Sequence, residues 1–177
     1  MQGTSPPTLE TALERTAPTR TQWDAWTHCE PALAGLTYQD LRDELRTGTE
    51  PRKDELLAAL VRTSHRDRTA FDVVAACLLP GIRHLVARYG RSLERQDALA
   101  IAVGALYEAV GRCELDQPPR FVASKLLALP TGRLRRAVTA QRASWATAMP
   151  AAENTAPTHS PGRRPLSFWA PPSRRAS

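Results

Sequence analysis

The sequence predicts an all-α protein, a compact bundle of about five or six helices with a disordered N-terminal arm and a disordered C-terminal tail. Three observations predict it. Apolar residues in the middle of the chain recur at three- and four-residue spacings, the period of a helix with one buried face. Ala, Leu and Arg, which lose little on entering a helix, are abundant there, and β-branched residues are scarce between positions 50 and 143. The 15 prolines lie mostly toward the two ends, so the core must come from the interior of the chain.

Residues 1–21, rich in Thr, Pro and Glu, read as a flexible arm. Trp23 and Trp26 follow at i, i+3 spacing, and two indoles this close are expected to pack as a clamp on the main domain, the alternative being a partner-binding patch. The first clear helix is TYQDLRDELR. Thr37 can cap it while Asp40 reaches back, Leu36, Leu41 and Leu45 give it an apolar line, and Gly48 ends it. A second helix starts after Thr49, with Pro51 in the first turn and Asp54 and Glu55 near the positive helix end. Leu56, Leu57, Leu60 and Val61 form its buried face.

A third helix begins near Asp67. Phe71, Val74, Cys77 and Leu78, then Ile82, Leu85, Val86 and Tyr89, keep the helical period on both sides of Pro80, which predicts one kinked helix closed by Gly90. The fourth covers roughly 93–110, with Leu99, Val103, Leu106 and Val110 inward, Ala102 and Ala109 allowing close packing, and Gly111 at the end. A fifth, from about Pro119, carries Phe121, Val122, Leu126 and Leu129, with Phe121 at a core spacing. Pro130 and Gly132 interrupt that run, and the basic piece RLRRAVTAQRASWATA extends it as a final helix. The helical domain is thus 22–145. Residues 146–177, made largely of Pro, Ala, Ser, Thr and Arg, form a disordered basic tail, because such a composition buries too little apolar surface to offset its ordering entropy. Phe168 and Trp169 stand alone in it as a candidate docking pair.

The net charge of +6 is unevenly placed. Residues 1–116 hold 14 basic and 17 acidic side chains, a net −3, whereas 117–177 hold 10 basic and 1 acidic, a net +9. A field this one-sided attracts polyanions such as nucleic acid, or an acidic protein face, and its plainer reading is a solvated basic tail. Arg120, Lys125, Arg133, Arg135, Arg136 and Arg142 are the candidate DNA contacts, since clustered cations suffice for phosphate and the planar guanidinium fork matches its oxygens. Arg133, Arg135 and Arg136 can equally be an exposed helix end that complements the negative dipole.

Little in the chain suggests catalysis. Cys29, Cys77 and Cys113 lie far apart without a CxxC pair, and His28, His65, His84 and His159 are scattered, so no metal site or disulfide framework is expected. No GxGxxG, Walker-type loop or GxSxG elbow occurs, and the acidic residues sit beside arginines on helix faces, as Asp40, Asp43 and Glu44 do beside Arg42 and Arg46. The expectation is a non-enzyme without cofactor. Neither a secretory signal nor an uninterrupted apolar run of spanning length is found, so the cytoplasm is the expected compartment and no membrane partner is expected.

Three segments stand in order over 68–137: FDVVAACLLPGIRHLVARYG, ERQDALAIAVGALYEAVGRC and RFVASKLLALPTGRLRR. Their order resembles region 2 of bacterial RNA polymerase sigma factors of the sigma-70 family. The first is similar to the opening helix of that region. The second is similar to the helix that grips the polymerase clamp, and the resemblance assigns Asp97 and Glu108 to that contact. The third resembles the helices that end in a basic run and meet promoter DNA. The upstream LAGLTYQDLRDELR, followed by ELLAALVR, looks like uncharacterised actinobacterial proteins that share this sigma-like core.

The departures are specific. Ala98, Leu99 and Ala100 stand where the family has acidic residues after Asp97. Of the aromatic cluster that opens promoter DNA only Phe121 remains, so promoter melting, which needs aromatic faces for unpaired bases, is not expected. No second helix-turn-helix domain is expected to follow. The expected function is a non-enzymatic, sigma-like, transcription-associated protein contacting DNA, RNA polymerase core, or both. The alternative is a helical protein-interaction module with tethering tails, docking through Trp23 and Trp26 or through Phe168 and Trp169.

Overall fold

The computed structural model describes residues 7–148. Among them are seven α-helices and no strand: α1 (Leu9–Glu14), α2 (Arg20–Cys29), α3 (Tyr38–Thr47), α4 (Glu50–Ser64), α5 (Arg68–Tyr89), α6 (Arg95–Gly111) and α7 (Val122–Ala148), with a 3-10 turn at Pro31–Leu33. The all-α expectation holds. Helix α5 is central and touches α1, α4, α6 and α7, while α6 and α7 pack along each other. By length and composition α5 could also cross a bilayer; here its apolar residues Val73, Val74, Leu78, Leu79 and Ile82 fill the bundle core.

The local signals in the sequence act as expected near the start of the bundle. Thr37 and Asp40 form the full capping box of α3. Asp67 caps α5 by accepting from the Thr69 N–H at 2.8 Å, and its other oxygen accepts from Trp26 Nε1 at 3.0 Å. Trp23 Nε1 donates to the Leu36 carbonyl at 2.8 Å, and its ring meets Trp26 and Tyr38 edge-on. Both indoles are buried, so they clamp α2 to the body.

Four features differ from the sequence expectations. Of the arm expected over 1–21, residues 1–6 lie outside the described residues, but the remainder carries α1, whose Leu13 is buried. One leucine so placed contributes ~2 kcal/mol, and Glu10 and Glu14 add ion pairs to Arg83 and Arg95. Helix α4 is buried along the whole stretch Leu56, Leu57, Ala58, Ala59, Leu60 and Val61, because α3, the 3-10 turn, α5 and α7 all pack on it; one face would not have sufficed.

Third, α7 runs unbroken through Pro130 and Gly132. Val122, Leu126, Pro130 and Leu134 fall at four-residue steps and are all buried, so a break at Pro130 would lift both fully buried leucines out of register. That loss exceeds the ~3 kcal/mol cost of an internal proline. Pro80 is likewise carried inside a continuous α5, and the adjacent Gly81 lets α7 approach, since a Cβ there would lie 2.9 Å from Leu127 Cδ1.

Fourth, Phe121 is not core. It precedes α7 with φ of 55°, and its side chain is 72% exposed. The reason lies on another helix: Asp54 of α4 accepts from the backbone N–H of Phe121 at 2.7 Å and of Val122 at 2.8 Å. A carboxylate from α4 thereby caps α7, and the chain must turn through the left-handed region to present both donors. The boundary expected at 145 moves to Ala148, and residues 149–177, with Phe168 and Trp169, lie outside the described residues.

Candidate nucleic-acid interface

Helix α7 is 27 residues, about 40 Å at 1.5 Å per residue, so the candidate cations spread along a rod. At 100° per residue, Arg135, Thr139 and Arg142 share one stripe, Arg136 stands about 100° away, and Arg133 faces nearly opposite. The six residues proposed from sequence are therefore separated into distinct environments.

Two are internally neutralised. Arg133 donates to Glu108 of α6 at 2.7 Å, and Glu108 also lies 3.9 Å from Arg112. Lys125 pairs with Asp116 in the preceding loop. Arg120 is exposed at the foot of α7, beside the exposed ring of Phe121. Arg136 is exposed and lies back over Gly132.

Arg135 is the residue around which a surface is organised. Its guanidinium stands 4.5 Å from the centroid of the Tyr89 ring and donates to the Tyr89 hydroxyl at 2.9 Å. That bond holds the Tyr89 phenol below its ordinary range. Arg88, the residue before Tyr89 in the last turn of α5, lies 5.3 Å from the same ring. Two guanidinium groups from two helices thus flank one tyrosine, and Arg142 continues the stripe about 10 Å further along α7. Among the described residues no carboxylate pairs with Arg88, Arg135, Arg136 or Arg142.

Beyond Gln141 the described side chains of α7 are all exposed, so the last turns stand clear of the bundle. Trp145 is 55% exposed there, at the continuation of the stripe that holds buried Leu134 and half-buried Val138. Sequence reasoning missed Arg88 and Trp145. The signal for Arg88 was ARYG, a cation in the last turn of a helix ending in Tyr-Gly; it becomes a site only because α7 brings Arg135 to it.

On α6, Asp97 is exposed in the first turn and Glu108 lies eleven residues on, at nearly the same angle round the helix. Between them the exposed positions are Ala100, Gly104 and Tyr107. The two acids differ in state, since Glu108 is taken by Arg133 and Arg112.

A cleft of about 710 Å³ is lined by Glu55, Arg62, His65, Cys113 and Asp116 with the loop at Gln117, Pro118 and Pro119. Burial pushes the Cys113 thiol up, so its lining holds no activated thiolate. Among the described residues no group of three or more His, Cys, Asp and Glu side chains is placed to hold a metal ion. Comparison with known proteins finds no matching family model, no matching curated protein and no matching solved structure.

Proposed function

We propose that this chain is a non-catalytic, sigma-like, transcription-associated protein of the cytoplasm that contacts duplex nucleic acid through the Arg88–Tyr89–Arg135–Arg142 surface. The observation that carries the reading is the convergence of α5 and α7: their guanidinium groups flank one phenol, carry no carboxylate partner, and adjoin a helix end that projects from the body. Cations so presented neutralise phosphates and release counterions, which gives salt-dependent binding with little base preference. The Tyr89 ring holds Arg135 in place and lowers the entropy lost on binding.

Within this reading a polymerase contact falls on α6, with Asp97 as its charged end. Ala100 and Gly104 beside it leave room for a partner helix to approach closely. Glu108 fits a different role, since it already neutralises Arg133. Phe121, exposed beside Arg120, offers a single stacking face at the opposite end of α7.

The test is fluorescence anisotropy of the full chain on a labelled duplex across a salt series. Replacing Arg88, Arg135 and Arg142 together by Gln is expected to reduce the slope of log K against log salt by about 0.9 for each phosphate that is no longer neutralised. Arg133→Gln is expected to leave it unchanged. Absence of duplex binding at low salt, or an identical slope in the triple variant, would overturn the reading. A second reading, a helical protein-interaction module, rests on Trp145, which sits on the apolar stripe of α7 where nothing covers it among the described residues. Trp145→Ala separates the two, because phosphate binding does not need that indole.

A further inference from the structure

A second cationic surface lies where α1 meets α5 and α6. Glu10 of α1 receives Arg83 of α5 at 2.5 Å and Arg95 of α6 at 3.1 Å, and Glu14 also pairs with Arg83. Beside these ion pairs an open cleft of about 430 Å³ is lined by Arg83, Arg91 and Arg95, with Val86, Leu93 and Leu99 as its apolar floor. Glu10 forms one rim of it.

The fit of α1 shows what chemistry this surface accepts. Its two carboxylates meet guanidinium groups from two different helices, and one leucine, Leu13, is buried between them along the chain. The occupation is incomplete. Three arginines line the cleft against the two carboxylates of α1, and Arg91 donates only to the Ala87 carbonyl. The helix itself has six residues, well below the length that holds a helix in water alone. Its tether is the stretch from Thr16 to Thr19, which contains Pro18 and is anchored where Tyr38 donates to the Thr16 carbonyl at 2.9 Å. The charged contacts of α1, made by Glu10 and Glu14, lie wholly before that anchor.

We infer that the cleft between α5 and α6 is a docking site for a short, strongly acidic amphipathic helix of a partner protein, and that α1 is its built-in competitor. A partner segment with three carboxylates around one leucine matches Arg83, Arg91 and Arg95 more completely than α1 does. Because α1 is tethered, it competes at a high effective concentration, and only a more acidic segment displaces it. The site therefore discriminates by charge count.

The test uses the full chain and a labelled synthetic peptide with the sequence of residues 7–17. Expected is binding to the Glu10→Gln, Glu14→Gln chain at least about tenfold tighter than to the unaltered chain, because the tethered competitor is weakened. Adding Arg83→Gln and Arg95→Gln to that chain is expected to abolish it. Equal affinity for the first two chains, no binding to either, or retention after the arginine replacements would overturn the proposal. A second measurement needs no variant protein: on the unaltered chain, a peptide carrying Thr11→Glu is expected to speed amide exchange in α1, and the unmodified peptide to do so less. Unchanged exchange with the more acidic peptide would equally overturn it.

Discussion

Replacing Asp54 by Ala tests whether α4 sets the start of α7. The carboxylate accepts from two backbone donors, Phe121 N at 2.7 Å and Val122 N at 2.8 Å. Phe121 is exposed, so its freed N–H finds water, whereas Val122 is 1% exposed and its N–H loses its only acceptor. The loss of a helix cap costs ~0.5–2 kcal/mol, and a buried donor left unsatisfied costs ~1–3 kcal/mol. The two estimates overlap in one interaction, so we expect about 2 kcal/mol in total. For a domain of this size that is roughly 6–8 °C in Tm, read by thermal denaturation followed at 222 nm. Asp54→Asn keeps one acceptor oxygen and is expected to lose about half as much. Glu55→Ala, next in sequence but exposed and paired only with Arg52 at 3.3 Å, is expected to change stability by less than ~0.5 kcal/mol. If Asp54→Ala falls within that same limit, α7 does not depend on α4 for its start, and the account of the left-handed Phe121 fails with it.

Two further predictions concern ionisation. Arg135 holds the Tyr89 phenol below its ordinary range, so Arg135→Gln is expected to move the Tyr89 titration upward, as followed by NMR of the ring carbons; an unmoved titration would mean that the two side chains do not meet in solution. Arg83 holds the Glu10 carboxyl below its ordinary 4.5, with Arg95 adding to the effect. The folded state therefore binds that proton more weakly than the unfolded state, and the docking of α1 is fully supported above the ordinary value and lost as pH falls through the lower folded one. Amide protection in α1 is expected to hold down to about pH 4.5 and to decline below it, and constant protection through that range would count against the ion pairs.

The parts of this fold legible in the sequence are those decided within a few residues. Thr37 and Asp40, Asp67 with Thr69, and the Gly90 stop all act over fewer than five positions, and each is realised. Distance explains what was not legible. Asp54 caps a helix that begins 68 positions later, and no local pattern in KDELL announces that. Phe121 keeps core spacing with Leu126 and Leu129 but stands one residue outside the helix, where the period has no meaning. Pro130 reads as a breaker because propensity is local, whereas the leucines at 126 and 134 that hold the helix through it act by tertiary packing. At the candidate interface the cations of α7 were legible as a group. Their separation was not, since Glu108, Tyr89 and Asp116, which decide it, come from three different parts of the chain.

That separation changes what the charge asymmetry means. A net +9 over 117–177 suggests a uniform basic segment, yet within the described part Arg133 and Lys125 are answered by carboxylates that belong to the acidic portion before residue 117. The fold uses some of the acidic excess to anchor the first half of α7, so among the described residues of that helix the cations without a carboxylate partner are Arg135, Arg136 and Arg142. Position along α7 thus matters more than total charge: charge removed at Arg133 also releases Glu108, so it alters an internal pair of the bundle, whereas charge removed at Arg142 alters only what an approaching polyanion meets. A salt series on single replacements at 133 and 142 separates these two kinds of cation, and equal salt slopes would show that the basic portion acts as one undivided field.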